Sequence, residues 1–317
     1  MARLVLGTNI NNTGTSSTVV EKQVPMPYSK IYINDNGKLK PSQNIMDLTG
    51  ITDVDSYCMA YAYINSPITF DNVDLSFLQQ VSGSYAFQSA YSNCQNVHSV
   101  DLSSLETVSG ESAFSNAFSN CQKLVSVDFS SLISVTGTSA FGGAFYRCYA
   151  LTNIEFPALT SITGTNAFYT AFSQCTKLEN ASFPALTTLN SRGGEGAFYG
   201  MFSGCNKLKT VKFNKLNIIN ESISQSYGGT FACSMLESIE FGGLTASTFE
   251  TRKNQFRYLF HSTTGQNAPN GCTLHLPSNF DPDNPAKTFD ITTLTGYPTF
   301  NGNANYIHIA YDLPATE

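Results

Sequence analysis

Tryptophan is absent from this 317-residue chain, and charged residues make up only 13% of it. The four histidines, His98, His261, His275 and His308, stand at no metal-ligand spacing, and no cysteines have the close Cys-x2-4-Cys spacing of a zinc site. Neither a Gly-x-Ser-x-Gly elbow nor a glycine-rich phosphate loop occurs. These absences nominate no catalytic residue, no metal ligand and no cofactor, so the chain reads as a binding or structural protein. No apolar run approaches the roughly 18 residues of a membrane span, and Cys58 to Ile64 is the best. A net charge of −6 argues against nucleic acid and against an anionic membrane as partners. The start, Met1-Ala-Arg-Leu-Val-Leu-Gly-Thr-Asn, is far short of a secretory h-region. Either a mature form or a protein made and used without that export route is expected.

What the chain does have is a repeat. Cys94, Cys121, Cys148, Cys175, Cys205 and Cys233 recur at steps of 27, 27, 27, 30 and 28 residues. Apolar residues follow at fixed offsets: Val97, Val100, Leu102, Leu105 and Val108 in one unit, Leu124, Val127, Phe129, Leu132 and Val135 in the next. A fixed period of this size marks a solenoid, in which each unit buries its apolar face against its neighbours. Ser126, Asp128 and Ser130 alternate with Val127 and Phe129, the pattern of a strand buried on one face. Ahead of most cysteines stands a doubled motif, Ala113-Phe114-Ser-Asn-Ala117-Phe118. Rings four apart, here and at Phe141/Phe145, Phe168/Phe172 and Phe198/Phe202, predict a short inward-facing helix with Ser112 as its cap. Gly110, Gly137 and Gly164 share one position, read as a sharp turn toward that helix.

The expected fold class is therefore an α/β repeat solenoid of the leucine-rich kind. It has parallel β-strands on one face, short helices on the other, and about seven coils of ~27 residues. The cysteines share one repeat position and should form a buried column. Parallel Cβ atoms at the strand spacing of about 4.8 Å exceed the roughly 3.5–4.5 Å of a disulfide, which favours free thiols filling a tight turn.

The run from Ala144 to Ile162, with Phe145, Cys148, Leu151, Ile154, Phe156-Pro157 and Leu159 at its set positions, resembles the BspA-like (Treponema-type) leucine-rich repeats of bacterial surface proteins. Phe183-Pro184 repeats the signature, and the resemblance covers residues 59–276. The unit here is longer by a second Ala-Phe step. The resemblance implies an adhesin or protein-binding module without catalytic activity. Separately, Met1 to Val20 weakly resembles the N-termini of tailed-phage structural proteins.

Four regions follow along the chain. Residues 1–27 form an extended arm rich in Asn, Thr, Gly and Ser, which cannot bury enough surface to fold alone. Residues 28–58 hold a hairpin around Asn34-Asp-Asn-Gly37 and an N-terminal cap. The solenoid occupies 59–276, starting with a degenerate unit (Val73, Leu75, Leu78, Val81), and Ser191 to Gly196 carries a three-residue insert that should bulge. Residues 277–317 form a C-terminal cap or attachment element, with Cys272 to Pro277 as the last repeat strand and Tyr306 to Tyr311 as a strand of the cap.

The candidate ligand-binding face is the outward side of the strands: Ser99, Asp101, Ser126, Asp128, Asn153, Glu155, Asn180, Ser182, Thr210 and Lys212, continued by Ser238 and Glu240. Asp101, Asp128 and Glu155 form a like-charged column. Such a face is expected to be concave, polar and mildly acidic. Tyr146, Tyr169 and Tyr199 are weaker contact candidates. The expected partners are a protein or glycan on a cell surface and, through the arm, other virion proteins; self-association stays open. Two contexts compete: a peripheral virion protein, a fibre or decoration that attaches to its host, which the signal-less start and the arm favour, and a secreted surface adhesin. A purely structural scaffold is a third.

Overall fold

The computed structural model of the protein describes residues 52–54, 56–65, 71–190, 196–219, 235–245, 268–281 and 307–316, with short pieces at 32–33, 38–40, 231 and 283. Each repeat contributes two short strands. The first set is β4 (Asn72–Asp74), β6 (Ser99–Asp101), β8 (Ser126–Asp128), β10 (Asn153–Glu155), β12 (Asn180–Ser182), β14 (Thr210–Phe213) and β16 (Ser238–Phe241). The second is β5 (Gln80–Val81), β7 (Thr107–Val108), β9 (Ser134–Val135), β11 (Ser161–Ile162), β13 (Thr188–Leu189) and β15 (Ile218–Ile219), joined as one six-stranded parallel sheet. Equivalent repeat positions pair directly, as with Val108 and Val135 or Ile162 and Leu189.

The third wall is where the structure departs from the sequence reading. The Ala-Phe segments are not helices but a ribbon of overlapping turns. A residue with left-handed φ recurs every fourth position: Ser112, Asn116 and Asn120 in one coil, Ser139, Gly143 and Arg147 in the next. Alternate N–H groups close i−3 turns, such as Ser115 to Ser112 (3.0 Å) and Ala117 to Phe114 (3.0 Å). The N–H groups between them cross to the following coil, Phe114 to Ala140 at 2.7 Å and Asn116 to Gly142 at 2.8 Å. Ser112 is thus no helix cap: its own N–H donates to Thr138 in the next coil, 2.8 Å.

Sterics explain the preference. Packed helices need about 8–10 Å between axes, whereas the strands repeat about every 4.8 Å. Only a backbone that bonds sideways can keep the strand spacing on the third wall. The rings confirm that spacing. Phe87, Phe114, Phe141 and Phe168 stack at 4.9, 5.1 and 5.1 Å, while Tyr91, Phe118, Phe145 and Phe172 stack at 5.2, 5.5 and 5.2 Å. The i,i+4 spacing still turns both rings inward, because the turn ribbon also has a period of four residues. In the later coils the turn-wall rings part to 6.0 Å (Phe168–Phe198), 6.1 Å (Phe172–Phe202) and 6.3 Å (Phe202–Phe231).

A third ring column, Phe129, Phe156, Phe183, Phe213 and Phe241, rises from the first strands at 4.8, 5.0, 5.1 and 5.2 Å. Its rings meet the turn-wall rings edge-on, as with Phe129 against Phe141 at 88°, a favoured geometry for aromatic quadrupoles. The glycine column has a different cause from the one expected. A Cβ on Gly137 would lie 2.3 Å from the Gly110 carbonyl oxygen, and one on Gly164 would lie 2.2 Å from that of Gly137. The coils approach too closely for any side chain there.

Among the described residues, the column cysteines Cys94, Cys121, Cys148, Cys175 and Cys205 are free, buried thiols. The Sγ donates to a carbonyl of the preceding coil: Cys121 to Tyr91, Cys148 to Phe118 and Cys175 to Phe145, each at 3.2 Å. Burial pushes the thiols up, Cys175 and Cys272 to about 12, and it raises Cys121 and Cys148 well above the ordinary value too.

The ends are closed differently. At the start, β1 (Tyr32–Ile33) and β2 (Lys38–Lys40) form the expected antiparallel hairpin, and β2 pairs in parallel with β3 (Asp53–Val54). Buried Asp53 accepts from the Ser82 N–H at 2.8 Å and from Gln80 Nε2 at 3.1 Å, tying β3 to the first coil. At the other end β17 (Cys272–Pro277) is followed by β18 (Ile307–Leu313), which pairs with it in parallel and extends the sheet. Among the described residues six coils carry both strands, so the seventh of the sequence count is not confirmed. Of the unit around Cys233, β16 is described and its turn segment is not, apart from Phe231. The bulge at 191–195 and the arm at 1–27 also fall outside the described residues.

Candidate binding face

The proposed site residues all lie on the first strands, but they do not form one continuous sheet. β4, β6 and β8 make a three-stranded sheet, and β10, β12, β14, β16, β17 and β18 make a separate six-stranded one. Ser99 and Asp101 therefore stand opposite Ser126 and Asp128. Across the break, Asn153 and Glu155 stand opposite Asn180 and Ser182, which in turn face Thr210 and Lys212.

Within each group the outward side chains bond to one another. Ser99 Oγ donates to Asn72 Oδ1 at 2.5 Å. Asn180 Nδ2 donates to Asn153 Oδ1 at 2.9 Å, and Thr210 Oγ1 donates to Asn180 Oδ1 at 2.6 Å. Lys212 Nζ pairs with Glu240 at 2.9 Å. These ladders fix the side chains of the face and leave their remaining donors and acceptors to solvent or ligand.

The acidic column has a structural task that the sequence reading missed. Asp74, Asp101 and Asp128 each accept from the N–H two residues on, Ser76 at 3.0 Å, Ser103 at 2.9 Å and Ser130 at 2.8 Å. Each closes an Asx turn at the end of its strand. Glu155 cannot do this, because Pro157 stands where that N–H would be. The signal was present in the sequence: Asp-x-Ser in three coils gives way to Glu155-x-Pro157 and Ser182-x-Pro184.

Among the weaker candidates, Tyr169 and Tyr199 stack at 5.3 Å on the turn wall, and the Arg147 guanidinium lies 4.9 Å from the Tyr146 ring centroid. They are half-buried and on a different wall from the strand residues. Among the described residues, no group of His, Cys, Asp and Glu is arranged to hold a metal ion. Nor is any helix there long and apolar enough to cross a membrane.

The repeat matches the family described as BspA type leucine rich repeat region, in six copies whose overlapping matches run over residues 50–143, 69–187, 114–221 and 142–263. The chain belongs to this family. The BspA-type array thus accounts for the six-coil body, with the ends outside the match. Among solved structures, the leucine-rich repeat protein of T. pallidum is similar at 16% identity and a TM-score of 0.36, covering 74% of this chain and 95% of its own. A leucine-rich cell surface protein from Faecalibacterium prausnitzii A2-165 is similar at 14% identity and a TM-score of 0.19, covering 69% and 89%. A leucine-rich repeat protein from Eubacterium ventriosum is similar at 14% and 0.22, covering 68% and 86%. No curated protein matches the chain significantly. The BspA-type assignment rests on the repeat match alone.

Proposed function

We propose that the protein is a non-catalytic binding protein of the bacterial surface, an adhesin whose solenoid holds a protein or glycan partner. The observation that carries this reading is the family match over residues 50–263. Its chemistry is supported by the strand wall, where outward Ser, Asn, Thr and acidic side chains are held in register by bonds from coil to coil. The virion context draws no support from that match. Its anchor, residues 1–27, lies outside the described residues.

The test is attachment of the purified protein to bacterial and host cells and to immobilised surface glycans. It is compared with a variant carrying Asp101→Asn, Asp128→Asn and Glu155→Gln. Asn keeps the acceptor oxygen of the Asx turns, so the variant should fold like the parent while attachment weakens. Unchanged attachment would move the site off the strand wall, and no attachment by the parent to any surface would refute the adhesin reading.

A further inference from the structure

One coil breaks the pattern of the strand wall. In every other coil the central residue of the first strand is buried: Val73 at 0%, Val100 at 2%, Ile154 at 1% and Ala181 at 1% exposed. Val127 in β8 is only partly buried, and Ser126 and Asp128 beside it are exposed. The same coil exposes Val125 at 47% and Ile133 at 43%. Other coils place His98, Thr152 and Glu179 at the position of Val125, and Glu106, Thr160 and Thr187 at that of Ile133. Repeat alignment alone therefore picks out both residues, neither of which is among the outward strand-face candidates.

The backbone opens at the same place. In neighbouring coils the Leu102 N–H donates to Asp128 at 3.1 Å and the Phe156 N–H to Ser182 at 2.9 Å. The equivalent bond from Phe129 to Glu155 does not form. Likewise the Val125 N–H reaches His98 at 2.8 Å and the Glu179 N–H reaches Thr152 at 2.7 Å, but Thr152 makes no such bond to Val125. The core beneath stays closed, with Phe129 stacked on Phe156 at 4.8 Å. The second strands also stay joined, Thr160 N–H to Ile133 at 2.9 Å. What results is a shallow seam between β8 and β10, with unpaired backbone groups and Val125 and Val127 on one side; Ile133 stands farther along the same coil, just before β9. Asp128 and Glu155 end the two strands that border it, Asp101 stands one coil back opposite Asp128, and Lys123 turns its Nζ to Asn96 at 3.0 Å.

We propose that this seam docks an extended segment of a partner protein in which Lys or Arg alternates with branched aliphatic residues. Open N–H and C=O groups at the mouth of the seam suit a peptide backbone laid across it, since Phe129 and Phe156 stacked at 4.8 Å leave no room for a strand between the coils. Val125, Val127 and Ile133 suit aliphatic side chains, and the flanking carboxylates suit their cationic neighbours. A glycan fits less well, since the patch offers no aromatic ring. This identification of the partner deepens the adhesin reading and rests on it.

The probe is a synthetic lysine–valine alternating heptapeptide, compared with glutamate–valine and lysine–serine heptapeptides. Binding is followed by fluorescence anisotropy and by amide hydrogen exchange of the full chain. The lysine–valine peptide should bind saturably and more weakly as salt rises, with the other two at least about tenfold weaker. The Phe129 amide should exchange faster than those of Leu102 and Phe156 in the free protein, and slow when peptide is bound. Val125→Ser with Ile133→Thr should lower peptide affinity about tenfold at unchanged melting temperature, because both residues are exposed. No saturable binding, or equal binding by the double variant, would overturn the proposal. Cell attachment separates it from the adhesin reading. If the parent and the double variant attach equally, or if glycosidase treatment of the cells abolishes attachment, the seam is not the docking site and the adhesin reading stands. If the parent attaches to no cell while the peptide result holds, the adhesin reading fails and the seam's specificity stands.

Discussion

Alkaline pH should unfold this protein through its thiols. Cys121, Cys148, Cys175 and Cys272 are buried, and desolvation raises each well above the ordinary value of 9.0. The neutral thiol is the form the fold accepts, so the stability it contributes is fully present below the unfolded value. That contribution is lost as pH rises from about 9 toward the folded value, because the unfolded chain releases protons that the folded chain keeps. At pH 10 an unfolded thiol is about ten-elevenths ionised, which costs a little over 1 kcal/mol for each group, or roughly 5 to 6 kcal/mol for the four. That is comparable to the whole stability of many domains. Urea unfolding under reducing conditions at pH 7, 8.5 and 10 should show a steep fall only above pH 8.5. Tyr63 and Tyr91 are raised too, from 10.0, and add to the fall chiefly beyond pH 10. A variant with Cys148→Ala and Cys175→Ala should start less stable but lose about half as much between pH 8.5 and 10. A stability flat across that range, or an equal fall in the variant, would refute the account of the column.

Phe145→Ala removes a ring 1% exposed and stacked between Phe118 and Phe172; it should cost about 3–5 kcal/mol by urea titration. Gly137→Ala forces a Cβ against the Gly110 carbonyl at 2.3 Å, and circular dichroism should show local or complete loss of the array, whereas Ala at the exposed neighbour Thr136 should leave the spectrum unchanged. Asp128→Lys removes the acceptor of the Ser130 N–H and should cost about 1 kcal/mol. Glu155→Lys, which closes no such turn, should melt like the parent. Native protein treated with iodoacetamide should leave Cys121, Cys148 and Cys175 unmodified by mass spectrometry, and all three should label after denaturation without reductant.

The period made the solenoid legible, because it assigned residues to columns before any backbone was known. Val108 over Val135, the ring stacks and the buried thiols all follow from that register. The helix did not follow. Phe114 and Phe118 have a spacing of four that an α-helix and a ribbon of turns satisfy equally, so periodicity could not separate them. Asn116, Asn120, Asn166, Gly143, Gly200 and Gly204 could have done so. They fall on the fourth-residue positions with left-handed φ, the conformation Gly and Asn tolerate best. The acidic column was legible as a pattern, but the turns it closes were not read, since their N–H groups lie two residues away in Ser103 and Ser130. The seam was half legible: Val125 and Ile133 stand out by repeat alignment, but the missing bonds are a property of backbone placement.

The turn ribbon also bears on where specificity can reside. A helix satisfies its own backbone and would leave each coil joined to the next only through strands and side chains. Here alternate N–H groups of the turn wall, from Ser112 through Asn120, reach the next coil, so neighbouring coils are bonded on every wall except across the seam between β8 and β10. Such an array has little freedom to bend around a ligand. Recognition must then come from differences between coils. On the strand wall most coils differ only in which polar side chain extends the ladder, as Asn153, Asn180 and Thr210 do. The coil holding β8 differs in kind: it exposes aliphatic side chains and leaves backbone groups open where its neighbours close them. A surface that repeats cannot mark one position for a partner, and an interruption of the repeat can.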